Sequence, residues 1–489
     1  LLGPALGAWL STALCTFLAP RTSAEITGVA VVSLVLCALR HWKVVAGLAC
    51  GVILGAGTSA LHVHTLQHGM VPVLASRHSD VDVIARLVRD PVDTTTSSGS
   101  PLTLTDATVT SVWTSGRWHH ADSPVLVLSD ATGWDGLLPG QHIDVSGRLA
   151  PARRGDDVSA VLDARAAPMR IGRPPWWQRA AGRVRLALRR STGGLPADAR
   201  GLLPGLVDGD TSAVPAALQT DMRVTGLTHL EAVSGENVSV LLAVVVALAG
   251  AIGLRRRSRV VVCSLALLGF VVLARPSPSV LRAAVMGAIV LVGMLTGRRS
   301  AALPALSASV LVLVTINPFL ARSVGFALSV VATAALLTLA PVWASWLAQW
   351  MPAWLATVIA VPAAAQLACT PILVLAFGQL TPYAIPANLL AAVAVPIATV
   401  IGVVCAVVAS GSVTAAIPIA WVGALPTLFI AAVARGMAAL PAAYLRWPGG
   451  PMADAAVVTA VAVLAAPRLA RLATTNGSAV RAILGRWPR

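Results

Sequence analysis

From Asn237 to Ala453 the chain contains no Asp or Glu, and most of that length is made of apolar stretches long enough to cross a bilayer. A soluble fold needs charge to cover its exterior, whereas helices in lipid satisfy their backbone internally and need none. The rest of the composition agrees: 56% of the 489 residues are hydrophobic and 11% are charged. These values exclude an ordinary soluble enzyme and predict a polytopic α-helical membrane protein. Cys15, Cys37, Cys50, Cys263, Cys369 and Cys405 all fall in apolar stretches, without CxxC or metal-ligand spacing, and read as small buried hydrophobes.

The apolar runs predict about 12 transmembrane helices. Three lie in an N-terminal block, 1–66, near 5–20, 26–39 and 44–62. Nine more are expected near 237–254, 258–274, 280–296, 301–316, 323–340, 353–376, 385–409, 415–434 and 453–467. No basic region precedes the first run, so it is expected to be a span rather than a signal peptide. Basic clusters set the orientation. Arg40 with Lys43, Arg255–Arg257 with Arg259, Arg298 with Arg299, and a basic tail over 471–489 all fall on one side when the spans alternate. That side is cytoplasmic by the positive-inside rule, which accounts for much of the formal charge of +16.

Residues 67–172 have a different texture. Segments at 80–88, 101–110, 123–128, 141–149 and 158–164 alternate apolar with polar residues, the period of half-buried strands. Five short strands broken by Gly, Pro, Asp and Ser predict a small extracellular β-barrel of OB-like type. Trp113, Arg117 and Trp118, followed by His119 and His120, combine rings with positive charge, as a single-stranded nucleic-acid surface requires. A barrel that only positions the membrane domain is the alternative. Residues 173–225 then read as an amphipathic, interfacial segment. Its first part, Trp176–Arg190, sets Arg179, Arg183, Arg185, Arg189 and Arg190 among apolar positions at near-helical spacing, suited to a membrane surface or to phosphates. Its second part, 195–225, reads as a polar helix-turn lead-in.

The third polar feature, within 226–470, opens the long acid-free region. His229, Glu231, Ser234, Glu236 and Asn237 crowd the start of an apolar run, where ionisable groups normally face a bundle interior or a wet cavity. They are channel-lining or gating candidates. Further on, Gln366 and Asn388 lie in apolar surroundings interrupted by prolines, suited to pore lining or to interhelical hydrogen bonds. Arg275, Arg282 and Arg322 are the cations expected at outer or intramembrane positions.

Four of these stretches, Gly226–Val238, Ser279–Met286, Asn317–Ser329, and Gln366–Pro371 with Asn388–Ala391, resemble in order the successive motifs of the ComEC-type competence proteins. The strand-rich segment resembles that family's OB-like domain. The resemblance implies an inner-membrane channel, in the cytoplasmic membrane, that admits transforming DNA as a single strand. It implies as partners single-stranded DNA, the lipid bilayer, a separate DNA receptor and a cytoplasmic ATPase or helicase, with a homo-oligomer among the arrangements open to it. The family's opening motif usually carries small or apolar residues where Glu231 and Glu236 stand, and His where Asn237 stands. The two acids are therefore expected to act as a gate, as an ion-pair latch with Arg275 or Arg282, or as a cation site.

Many family members continue into a metallo-β-lactamase-like domain. This sequence holds no HxHxDH pattern, so a short form with no enzymatic activity and no cofactor is expected. No GxxxxGK[ST] stretch occurs either, which assigns the energy for import to another protein or to the proton gradient. On this reading Arg282, Arg275 and Arg322 offset DNA phosphates along a path that carries few acids. Two other classes stand beside it: a secondary carrier for a small solute or lipid, and an intramembrane metal-dependent hydrolase built on His229, Glu231 and Glu236. The latter lacks HExxH spacing and a third strong ligand, so no metal site is expected.

Overall fold

The computed structural model describes residues 1–18, 20–39, 43–95, 99–114, 116–130, 132–231, 233, 235–296, 302–447 and 449–450. The expected span at 453–467, the tail at 471–489, Arg40, Arg298, Arg299 and Ser234 lie outside the described residues. The chain packs as two units. The first comprises Leu1–Ala187, Leu268–Ser277 and Ser307–Arg322; the second comprises Leu188–Leu267, Pro278–Leu306 and the described residues from Ser323 onward.

The first unit begins with helices α1 (Leu2–Cys15), α2 (Pro20–Leu39) and α3 (Lys43–Gln67). Helix α3 packs on both of the others. Gly47, Gly51 and Gly55 recur every fourth residue of α3 and turn one small-residue face toward α1. A Cβ on Gly51 would collide with the Pro4 carbonyl oxygen and stand 2.7 Å from the Ala8 nitrogen. The two backbones touch because nothing larger intervenes, which is how helices associate in lipid without a hydrophobic drive between them. Gly51→Leu is expected to destabilise the α1–α3 pair by roughly 3 kcal/mol or more, read as a lower melting temperature in detergent and reduced abundance in the membrane.

After the short helix α4 (Met70–Ser76) come β1 (Asp80–Leu87), β2 (Val92–Thr95), β3 (Pro101–Thr114), β4 (Arg117–Ser129), β5 (His142–Pro151), β6 (Ala160–Ala164) and β7 (Met169–Ile171). The five expected strands are present, with β2 and β7 as short additions. Strand β1 pairs antiparallel with both β3 and β5, β3 with β4, and β5 with β6, while β4 and β6 run parallel. Alternate residues point inward, so Val83, Val109, Val125, Ile143, Leu149 and Leu162 form one core. The polar residues between them face out.

Helix α5 (Trp176–Ser191) runs from the first unit into the second. The second unit then holds α6 (Ala197–Asp208), α7 (Ala216–Val224), a 3-10 turn at Thr228–Leu230 and α8 (Gly235–Ala251). It continues through α9 (Arg256–Ala274), α10 (Pro278–Thr296), α11 (Ala302–Ile316), α12 (Val324–Leu347), α13 (Ala353–Phe377), α14 (Ala384–Gly411) and α15 (Val413–Ala438), with parts of α9 and α11 belonging to the first unit.

Helix α6 is buried over nearly its whole length, where the sequence suggests a polar lead-in. It packs against α14 and α15. Gly423 of α15 admits Leu203, whose Cδ2 would lie 3.1 Å from an added Cβ. Asp198 at its start is bound by Arg435 of α15 at 2.8 Å. At its end, Asp208 accepts a hydrogen bond from the Asp210 nitrogen at 3.0 Å, and Asp210 in turn holds Ser212 and Arg189. The acids of this segment thus close turns and pin helices.

Among the described residues, seven helices are long and apolar enough to cross a membrane: most of α3, and α9, α10, α12, α13, α14 and α15. Three more, α1, α8 and α11, are apolar but have only 14, 17 and 15 residues. Of the 12 expected spans, the one at 453–467 lies outside the described residues, and the runs at α1, α8 and α11 form helices shorter than a full span. The architecture is that of a polytopic helical membrane protein. Prolines lie inside α12, α13, α14 and α15, where each removes one backbone donor from the internal ladder.

Candidate functional site

The stretch linking α7 to α8 is folded tightly. Thr225, Leu227, Leu230 and Val233 are buried, and the chain reverses at Gly226, whose φ of 74° lies in the left-handed region. A Cβ there would also press to 2.9 Å from Ala384 Cβ, so glycine is required on two counts. His229 is exposed, with Nδ1 3.2 Å from the Gly226 carbonyl oxygen. Glu236, in the first turn of α8, is exposed as well.

Asn237 is 1% exposed and braces three helices. Its Nδ2 donates to the Leu206 carbonyl of α6 at 2.8 Å, and its Oδ1 accepts from Thr399 Oγ1 of α14 at 3.4 Å. It therefore fixes where α8 begins.

Glu231 is half-buried, and its Oε1 has no hydrogen-bond partner among the described residues. The Gly205 face of α6 closes over its backbone, leaving 2.9 Å between the Glu231 oxygen and an added Cβ. Burial pushes the carboxyl up from 4.5 to about 7, against a smaller opposing pull from Arg223. The folded protein thus holds this proton where the unfolded chain has released it. Stability is full below about pH 4.5 and falls as pH rises toward and past 7. Glu231→Gln is expected to remove that slope, since an amide does not titrate. Melting curves of the solubilised protein between pH 5 and pH 8, roughly the span of the slope, check it.

Arg282, on the second turn of α10, is the cation of this region. It is 7% exposed, yet its guanidinium meets only neutral groups among the described residues: Nε donates to Ser329 Oγ of α12 at 2.9 Å and Nη1 to Met286 Sδ at 3.5 Å. Its Nη2 lies 3.0 Å from where a Cβ of Gly235 would stand, so the guanidinium abuts the first residue of α8. A helix N-terminus presents free N–H groups and partial positive charge. Two positive features converge there, and although Glu236 also lies in the first turn of α8, Arg282 forms no ion pair among the described residues, which leaves its charge available to an anion.

The latch expected of Glu231 and Glu236 is not formed. Neither is ion-paired among the described residues, and Arg275 is taken by Asp90, through Nε at 2.7 Å and Nη2 at 2.8 Å, and by Gln178. Arg275 holds that fork from a φ of 65°, a conformation non-glycine residues seldom adopt. Arg322 donates to the Gly155 carbonyl and lies 3.6 Å over the Phe17 ring. Both arginines therefore tether loops within the first unit.

Gln366 is half-buried on α13. Asn388 donates to the Ala384 carbonyl of its own helix at 2.8 Å, so this bond joins no second helix. Trp113 and Trp118 face each other across the β3–β4 tip, 5.5 Å apart and edge-on, 40% and 44% exposed, with exposed Arg117 beside them. Among the described residues, no group of three or more His, Cys, Asp or Glu is placed to hold a metal ion. Arg282, Gly235 and Asn237 are thus brought together by α8, α10 and α14, with exposed Glu236 between Gly235 and Asn237 and exposed His229 in the turn before them. Thr399 and the Leu206 carbonyl were not singled out by sequence, since neither residue type carries a signal at its position.

Residues 206–472, more than half of the chain, match the family model described as "Competence protein". Among curated proteins, ComE operon protein 3 of Bacillus subtilis (strain 168) is 31% identical over 196 residues, covering 40% of this chain and 25% of that protein. The chain thus spans a quarter of the length of the curated relative it matches. No solved structure matches.

Proposed function

The chain belongs to the competence protein family, and on that premise we propose that it is a multi-pass channel of the cytoplasmic membrane through which DNA passes as a single strand during natural transformation. The observation that carries the reading is Arg282. A buried cation held, among the described residues, by a hydroxyl and a thioether, against a helix N-terminus, costs several kcal/mol unless an anion visits it. A strand of DNA supplies a phosphate every nucleotide. The absence of Asp and Glu from Asn237 to Ala453 removes repulsion along such a path.

Other features support finer parts of the proposal. The cyclic pairing β1-β3-β4-β6-β5-β1, with β4 and β6 parallel, supports an OB-like reading of the strand domain. The Trp113–Trp118 pair with Arg117 would serve there as a stacking surface for bases before they reach the membrane. The short apolar helices α1, α8 and α11 would add crossings to the seven long ones. Import energy, a DNA receptor and a cytoplasmic ATPase would come from separate proteins.

The test is genetic. In a transformable host, deletion of the gene is expected to abolish nuclease-resistant, internalised DNA while surface-bound DNA persists. Unchanged internalisation, with loss of a small solute or lipid flux instead, would establish a carrier.

A further inference from the structure

Helix α5 presents a stripe that belongs to none of the features above. Trp176, Arg179, Arg183 and Leu186 recur at i, i+3, i+7 and i+10, which places them on one helical face, and all four are exposed, Trp176 by 74%. The helix contains no acid. The side chains of Arg179 and Arg183 form no ion pair among the described residues. The opposite face is fixed: Gln178 and Ala181 are buried, and Gly182 lies against Leu138, whose methyls would be 3.2 Å from an added Cβ.

Two contacts set the level of this helix. Arg185 Nη1 donates to the Leu273 carbonyl at 2.9 Å, and Gln178 accepts from Arg275. Leu273 is the penultimate residue of α9, a 19-residue helix apolar and long enough to cross a membrane. The end of such a crossing lies among lipid headgroups. A basic helix lying there meets phosphate on its charged groups, while indole and leucine side chains reach the acyl boundary. Trp176 and Leu186 flank the two arginines, an apolar contribution that a DNA backbone would leave unused. We propose that the exposed face of α5 binds anionic phospholipid headgroups, with Arg179 and Arg183 as phosphate ligands and Trp176 seated at the headgroup level.

The test uses the full chain, purified in detergent and delipidated, titrated separately with phosphatidylglycerol, phosphatidylcholine and a single-stranded oligothymidylate, and read by native mass spectrometry. Phosphatidylglycerol is expected to bind in preference to phosphatidylcholine. Arg179→Gln/Arg183→Gln should weaken that binding by about five-fold per arginine removed, with oligothymidylate binding and melting temperature unchanged. Arg179→Lys/Arg183→Lys should keep most of it. Equal binding of the two lipids, or phosphatidylglycerol binding unaffected by the glutamine pair, overturns the proposal. Loss of oligothymidylate binding with phosphatidylglycerol binding kept overturns it too and makes the stripe a nucleic-acid contact. These arms are read without DNA import, so they stand or fall apart from the channel reading.

Discussion

Arg282→Glu is expected to lower internalisation of labelled DNA by roughly a hundred-fold and Arg282→Ala by about ten-fold, with the amount of protein in the membrane unchanged. The order follows from charge: alanine removes an attraction for phosphate, and glutamate adds a repulsion at the same place. The stability side of the prediction separates this role from a structural one. Arg282 is buried, with Ser329 Oγ and Met286 Sδ as its side-chain partners among the described residues, so its charge is held at a cost. Replacing it by alanine should leave the melting temperature equal or higher while uptake falls, the signature of a group kept for function. A lower melting temperature with a proportional loss of protein would make Arg282 a packing residue.

Asn237→Leu is expected to act in the opposite sense, lowering stability first and uptake through it. The substitution leaves the Leu206 carbonyl and the Thr399 hydroxyl facing an apolar side chain in a buried place. Each unsatisfied group costs about 1–3 kcal/mol, so a total loss of about 2–4 kcal/mol is expected from the melting of the solubilised protein. Because α8 also carries Gly235 against Arg282, surviving protein should show reduced import even where its abundance is restored by raised expression. Melting unchanged from the parent would contradict the bracing role.

Much of the architecture is legible in the chain because its signals are local. Strict alternation between 80 and 164 predicts strands that the structure contains, and the apolar runs within the described residues predict helices at the places where helices occur. What the sequence hides is long-range. Helix α6 looks polar because its apolar core, Leu202 to Val207, is interrupted by Pro204 and Gly205 and flanked by Asp198 and Asp208. Only the surrounding α14 and α15 make it an interior element. Arg275 reads as a cation at a membrane turn, yet its partner Asp90 is 185 residues away. Asn237 reads as a gate residue, and its brace to Thr399 spans 162 positions. The four-residue spacing of Gly47, Gly51 and Gly55 was open to view, and its meaning depends on α1 lying across it. Arg282 was legible as an unusual cation, but its lack of an ion pair among the described residues is a fact of packing.

The most direct test of the channel reading places a photo-crosslinking amino acid at Glu236, an exposed position one residue beyond the glycine that abuts Arg282. Cells taking up DNA labelled separately on each strand are irradiated during import. The account predicts a crosslink to one strand only, strongly reduced when Arg282→Glu is added. Continued DNA uptake with no crosslink at this position, or equal crosslinking to both strands, would contradict it.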